Sequence, residues 1–236
     1  EAPSAAEKAA VTWHPTKPRV GDVAWVLVKD VVESATVEGS VDGRLLAFFP
    51  FAGGHAALFG VDLDVKPGSY VWRVGVVEPG REPRSAQGSV KIARRDFHVE
   101  RLTVPNTMVD LDPETERRAV AESKQLAALY RTVTPERFWR GKFMTPVGTS
   151  GAGTGFGARR IINGKPRSPH SGSDYKAPLG TPVVAANAGK VALVAEFFFP
   201  GRLVIVDHGL GLYTAYFHLD TTAVAVFADR AVAGIE

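Results

Sequence analysis

The stretch "GRLVIVDHGLGLYTAYFHL", residues 201–219, contains two runs of β-branched and aromatic residues separated by a Gly-x-Gly turn. Runs of this kind on either side of a short glycine turn are typical of a β-hairpin. The stretch just before it, "VVAANAGKVALVAEFFF" after Pro182, shows the same pattern and is another strand-rich run. The sequence therefore predicts a C-terminal antiparallel β domain, which we place at residues 145–236.

The first 105 residues show short apolar runs between turns, at a spacing of about ten residues that is typical of a β-sandwich. In "RVGDVAWVLVKD" (Arg19–Asp30) a Gly-Asp turn precedes a β-branched and aromatic run. Pro67 and Gly68 form a second turn signal before the run from Tyr70 to Val77. This pattern predicts an immunoglobulin-like β-sandwich over residues 1–105.

A helical connector is predicted between these two regions, at residues 106–144. Asp112 suits the N-cap of a helix and Pro113 suits its first position. The helix is expected to end near Thr132. The chain is thus expected to be mainly β, with a sandwich, a helical connector and a second β domain.

The composition excludes several classes of protein. With 45% hydrophobic and 22% charged residues the chain is an ordinary globular protein, and no apolar run reaches the roughly 18 residues that span a bilayer. The net charge is only +3, and no run combines dense Lys and Arg with aromatic residues, which argues against nucleic-acid binding. The absence of cysteine excludes disulfides and thiolate chemistry.

The stretch "PHSGSDYKAP", residues 169–178, contains a candidate metal-ligating pair, His170 and Asp174. The two prolines argue against a helix, and on a strand residues 170, 172 and 174 share one face. Gly172 between them leaves room for an ion or ligand to approach. Imidazole and carboxylate are both zinc ligands. From these residues alone, a polar turn at the surface remains the alternative interpretation.

Other candidate residues carry weaker signals. His14, His55 and His98 have no partner at ligand spacing and are interpreted as structural. The glycine-rich stretch 148–160 lacks the Gly-Lys-Ser/Thr ending of a phosphate loop. We therefore expect it to be an approach to the β domain and not a phosphate-binding site.

The wider sequence "NGKPRSPHSGSDYKAPLGTPVVAANAGKV", followed by "VIVDHGLGLYTAYFHLD", resembles the lysostaphin-type (LytM-like) zinc metalloendopeptidases of bacterial cell walls. Several separate motifs match in the same order, among them Asn163-Gly164, the His170 to Asp174 segment, Gly189-Lys190-Val191 and Tyr216 to Leu219. The resemblance covers residues 145–225, and an immunoglobulin-like module precedes the peptidase in some members.

This resemblance implies that His170 and Asp174 are zinc ligands. It also implies that His218, in a Tyr-x-His-Leu segment, is a catalytic histidine that assists the attacking water and does not bind the metal. His208 is expected to shape the hairpin. Zinc would be the cofactor, peptidoglycan peptides the substrate, and the periplasm, the cell envelope or the exterior the location.

One part of the zinc site that this resemblance implies is missing from the sequence. Such enzymes complete the zinc site with a His-x-His pair on a later strand, but no histidine follows Leu219 in this sequence. Since a catalytic zinc generally takes three protein ligands, we expect the peptidase domain to be incomplete at its C-terminus. The chain is a truncated or frameshifted form of an active enzyme, a degenerate member, or one completed by a partner chain or strand swap. Retention of His170, Asp174 and His218 favours the first.

Two functional hypotheses follow from these motifs and from this resemblance. The leading hypothesis is a zinc endopeptidase that hydrolyses the peptide cross-bridges of peptidoglycan. The alternative is a non-catalytic module that binds peptidoglycan or regulates an amidase, because some relatives of these peptidases have lost zinc ligands.

Overall fold

The computed structural model describes residues 8–106, 109–148 and 153–223. The chain divides into two compact units, Glu1–His98 and Val99–Glu236. The described residues form four β-sheets and one α-helix, which confirms the prediction of a mainly β chain. The division into residues 1–105, 106–144 and 145–236 stays a prediction.

The N-terminal unit consists of two four-stranded antiparallel sheets. Its strands are β1 (Ala10–His14), β2 (Val23–Lys29), β3 (Thr36–Val41), β4 (Arg44–Leu45), β5 (Phe49–Phe51), β6 (Gly54–Gly60), β7 (Gly68–Val77) and β8 (Arg84–Ile92). The sheet orders are β1-β2-β6-β5 and β4-β3-β7-β8.

The core of this unit lies between the two sheets. Val26 and Phe59 of the first sheet belong to one buried cluster with Val41 and Ile92 of the second. Because both sheets contribute one apolar face to this cluster, the unit is a β-sandwich. The finer assignment, an immunoglobulin-like sandwich, stays a prediction.

The described residues of the C-terminal unit form one helix and two small sheets. Its elements are β9 (Val99–Leu102), α1 (Pro113–Leu129), β10 (Arg159–Ile162), β11 (Lys165–Pro166), β12 (Lys190–Phe197), β13 (Gly201–Gly209) and β14 (Leu212–Leu219). β10 pairs in parallel with β9 and antiparallel with β11, whereas β12, β13 and β14 form an antiparallel sheet. The hairpin predicted for residues 201–219 is confirmed as β13 and β14.

The helix begins where the sequence predicted. The side chain of Asp112 accepts hydrogen bonds from the backbone N–H groups of Glu114 at 2.9 Å and Thr115 at 3.1 Å, and Pro113 is the first helical residue. Hydrogen bonds to this carboxylate, chiefly from the Thr115 side chain, lower the pKa of Asp112. The helix ends at Leu129, three residues before the expected end.

Strand β13 is buried on both faces and forms the centre of this unit. Leu203 and Ile205 pack with Phe197 on the face that also contacts α1 through Leu126 and Leu129. The side chains that alternate with Leu203 and Ile205 along β13 point to the opposite face of the sheet. There the buried cluster comprises Val191, Val204, Val206 and Tyr216.

A segment without helix or strand, residues 134–146, crosses the β13–β14 hairpin; we call it the strap. The backbone N–H of Leu210 donates to the Thr134 carbonyl at 2.6 Å, and that of Phe138 donates to the His208 carbonyl at 2.8 Å. The Thr134 hydroxyl donates to the Asp207 carboxylate at 2.5 Å. The strap is therefore fixed to the hairpin by its backbone.

In the described part of the chain, no helix combines the length and the apolar character needed to cross a membrane. Most of the chain after Leu219, residues 224–236, lies outside the described residues.

Candidate functional site

The structure brings His170 and Asp174 together. Their side chains meet through His170 Nε2 and Asp174 Oδ1, which are 3.1 Å apart. The imidazole is 12% exposed and the carboxylate 64% exposed, so the pair lies at the surface with the ring turned inward. The prediction that these two residues face one place is therefore confirmed in geometry, while their role as ligands stays a prediction.

The segment around the pair is irregular, as its prolines and glycines predict. Residues 168–178 contain no helix, and Asp174 forms an isolated antiparallel bridge with Thr154. This bridge, and not a long strand, sets the direction of the Asp174 side chain.

The geometry of the pair fits two ligands of one zinc ion. Two ligand atoms about 2.1 Å from a shared tetrahedral ion lie about 3.4 Å apart, close to the 3.1 Å between Nε2 and Oδ1. The other ring nitrogen, Nδ1, is buried and has no hydrogen-bond partner among the described residues. Within residues 8–106, 109–148 and 153–223, however, no third His, Asp or Glu joins the pair. The described residues thus fit two positions of a zinc site and not a complete one.

His218 lies near the end of β14, with an exposed side chain. Its backbone N–H donates to the Pro200 carbonyl at 2.9 Å, and its φ is 58°. Such a left-handed conformation costs a residue other than glycine about 1–3 kcal/mol and is concentrated at functional sites. Within the described residues, His218 does not join His170 and Asp174 in one group of candidate metal ligands.

His208 belongs to a buried hydrogen-bond network that the sequence did not predict. The residue is 0% exposed; its Nδ1 lies 2.7 Å from the Ala188 carbonyl oxygen and its Nε2 lies 2.8 Å from the Thr214 hydroxyl. A carbonyl oxygen only accepts, so Nδ1 carries the proton and donates. In the neutral ring, Nε2 then accepts from Thr214. Both nitrogens are engaged, which leaves no donor atom for a metal.

The network continues to Tyr216, which is 7% exposed. The hydroxyls of Thr214 and Tyr216 are 3.0 Å apart, and the Tyr216 oxygen accepts from the Ala186 N–H at 2.7 Å. The chain of bonds ties β13 and β14 to the loop before β12. The signal that sequence reasoning missed was the alternation that places Thr214 and Tyr216 on one face of β14.

Buried His208 should make the stability of the protein depend on pH. Burial lowers the pKa of His208 below its ordinary value of 6.5, so just below that pH the unfolded chain binds a proton that the folded chain does not. The free energy of unfolding should therefore rise with pH through the window just below 6.5 and fall on acidification. We expect His208→Gln to reduce this slope in urea denaturation series between about pH 5 and pH 7.

His55 provides the comparison for that experiment. Burial also lowers the pKa of His55, which lies in the N-terminal unit. His55→Gln should therefore reduce the slope for its own unit and leave the contribution of His208 in place. An unchanged pH slope in His208→Gln would contradict the assignment of a neutral, buried His208.

The match to a protein family lies within the C-terminal unit. Residues 168–233 match the profile of Peptidase family M23, a range that includes His170, Asp174 and His218. Residues 168–233 are thus similar to Peptidase family M23. This confirms the family resemblance inferred from the sequence motifs, whereas the immunoglobulin-like module is not established by these matches.

Two curated M23 relatives are peptidoglycan DD-endopeptidases of Vibrio cholerae, ShyB and ShyA. Each is 36% identical to this chain over 52 residues, which is 22% of this chain and 12% of the relative. The aligned part is thus a small fraction of the length of these relatives.

A solved structure matches nearly the whole chain. It is a crystal structure described as a candidate M23 peptidase from Pseudomonas aeruginosa, with a TM-score of 0.68 and 25% sequence identity. The match covers 93% of this chain and 82% of that one. The likeness in fold therefore extends well beyond the residues that match the family profile.

Proposed function

We propose that this chain is the peptidase part of a zinc endopeptidase that hydrolyses the peptide cross-bridges of bacterial peptidoglycan, in the periplasm or at the cell envelope. The observation that carries the proposal is the 3.1 Å approach of His170 Nε2 and Asp174 Oδ1 inside the residues that match the M23 family. The relatives that are peptidoglycan DD-endopeptidases supply the substrate class.

In this proposal, His170 and Asp174 hold the metal through Nε2 and Oδ1. A bound zinc ion supplies polarisation of the scissile carbonyl and a lowered pKa of a bound water. Asp174 contributes a negative charge that favours a cation over a neutral ligand. The buried position of the His170 ring keeps one face of the pair away from bulk water, which strengthens that attraction.

His218 is the proposed acid–base residue. Its exposed imidazole is free to accept or donate a proton at a ring nitrogen, as general acid–base catalysis requires. The hydrogen bond from its backbone N–H to Pro200 fixes the main chain from which the ring projects. Its left-handed φ is supported by the surrounding hairpin, which is the usual situation of a strained functional residue.

Cross-linked muropeptides provide the test of this proposal. With added zinc, the protein should release uncross-linked peptides, as measured by liquid chromatography, and a chelator should stop the release. Asp174→Asn should lose zinc binding and cleavage together, because an amide carries no charge to hold the ion. The matched control is Asp110→Asn, another exposed aspartate of the same unit, which should behave as wild type. Absence of both zinc binding and cleavage in the wild-type protein would refute the proposal.

One observation favours the second candidate, a non-catalytic module that binds peptidoglycan or regulates an amidase. The described residues bring together two candidate zinc ligands and not three, and two ligands would hold zinc more weakly than a catalytic site requires. This candidate predicts that the protein sediments with purified peptidoglycan without cleaving it. A partner chain that supplies the third ligand also stays a prediction, and it would appear as zinc binding that depends on protein concentration.

A further inference from the structure

One short segment holds the backbones of both His170 and Asp174. Thr154 and Asp174 exchange two backbone hydrogen bonds, of 3.0 and 2.8 Å. The His170 N–H donates to the Ala158 carbonyl at 2.9 Å, and the Gly157 N–H donates to the His170 carbonyl at 2.7 Å. All four backbone polar groups of the pair are therefore bonded to the segment from Thr154 to Ala158.

Gly155 lies inside this segment and faces the imidazole. Its φ is +84°, and a Cβ added to it would lie 2.6 Å from His170 Nδ1 and 3.1 Å from Cε1 of the same ring. The same Cβ would lie 3.6 Å from Asp174 Oδ2. Since the first distance is shorter than any ordinary contact, a side chain at this position requires the ring or the segment to move.

Because the imidazole ring is rigid, a displacement of one ring nitrogen of His170 also displaces the other. Nδ1 faces Gly155, whereas Nε2 meets Asp174 Oδ1 at 3.1 Å. The backbone bonds described above resist movement of the segment. A side chain at position 155 would therefore change the contact between His170 and Asp174.

We propose that Gly155 is a positioning residue: the absence of its side chain provides the space in which the His170 ring is held against Asp174. The geometric part of this inference is independent of activity. Its functional meaning, that the glycine keeps two metal-binding atoms at ligand spacing, rests on the proposed function.

Gly164 is the matched control for Gly155. Its φ is +78°, so alanine there meets the same backbone strain, but nothing lies within 4 Å of the added Cβ. Gly155→Ala and Gly164→Ala therefore share the cost of a left-handed alanine and differ in the contact with His170. Asparagine tolerates this backbone region better than alanine. Gly155→Asn and Gly164→Asn are thus a second pair of variants, to be used in the same experiment if Gly155→Ala does not fold.

The experiment records the ring nitrogens of His170 in the metal-free protein by long-range ¹H–¹⁵N correlation, with His170→Gln for assignment. Zinc titration by calorimetry follows on the same samples. We expect Gly155 variants to shift the His170 ring signals and to weaken zinc binding by at least about tenfold, as loss of a supporting contact does. Gly164 variants should change neither measurement while losing comparable thermal stability.

Each outcome decides one claim. Wild-type His170 signals in folded Gly155 variants would overturn the positioning role. Equal shifts in Gly155 and Gly164 variants would also overturn it, since backbone strain alone would then explain them. A shift confined to the Gly155 variants, with no zinc binding in any protein, would support the positioning role and count against the proposed zinc enzyme.

Discussion

Gly209→Ala is expected to destabilise the C-terminal unit by about 3 kcal/mol or more, because a left-handed alanine costs about 1–2 kcal/mol and overpacking adds about 1–3 kcal/mol. The φ of Gly209 is +86°, and a Cβ there would lie 1.7 Å from the carbonyl oxygen of Glu136 in the strap. That oxygen belongs to the backbone, so no side-chain rotation relieves the clash.

The strap has little freedom to retreat from a new side chain. Leu210 and Phe138 each donate a backbone hydrogen bond that joins the strap to the hairpin, on either side of the Glu136 contact. Displacement of Glu136 would break or lengthen these bonds, each worth about 0.5–1.5 kcal/mol net. Relief of the clash would therefore itself cost stability.

Gly211 offers the control, two residues further along the same hairpin turn. Its φ is +75°, but the nearest atoms to an added Cβ are Val133 side-chain carbons at 3.5 and 3.9 Å, an ordinary contact. Gly211→Ala should lower the stability by only about 1–2 kcal/mol, the cost of alanine in the left-handed conformation. Chemical denaturation of both variants measures the difference, and equal losses would show that the strap does not press against Gly209.

Local sequence signals predicted the parts of this fold that depend on neighbouring residues. The hairpin at residues 201–219 followed from its apolar runs and glycine turn, and the start of α1 followed from Asp112 and Pro113. The convergence of His170 and Asp174 was predicted from their spacing of four positions. The hairpin and the helix start depend on residues close in sequence, whereas the position of Asp174 also depends on its bridge to Thr154, 20 residues away.

The strap could not be predicted, because its bonds join residues far apart in sequence. Thr134 and Asp207 are 73 residues apart, and only the folded chain shows that they meet. The role of Gly155 was missed for a related reason. The glycines of the glycine-rich stretch look equivalent in the sequence, and only the folded chain shows that Gly155 faces His170. The expected role of His218 came from the sequence resemblance, because within the described residues this side chain does not join His170 and Asp174 in one group.

Substitution of His218 should separate metal binding from hydrolysis. We expect His218→Asn to lower the rate of cross-bridge cleavage by about 100-fold or more, the usual contribution of a general acid–base residue. Zinc affinity should stay at the wild-type value, because within the described residues His218 does not join His170 and Asp174 in one group of candidate ligands. Asparagine is chosen because it tolerates the φ of 58° at this position.

The comparison with Asp174→Asn makes this prediction specific. Loss of a ligand should remove zinc binding and cleavage together, whereas loss of an acid–base residue should remove cleavage alone. Calorimetric zinc titration and muropeptide assays on both variants measure the two properties side by side. A His218→Asn protein that loses zinc as fully as Asp174→Asn would mean that His218 is a ligand, and it would supply the third position that the described residues do not otherwise fill. Unchanged cleavage in His218→Asn would instead remove this residue from the mechanism.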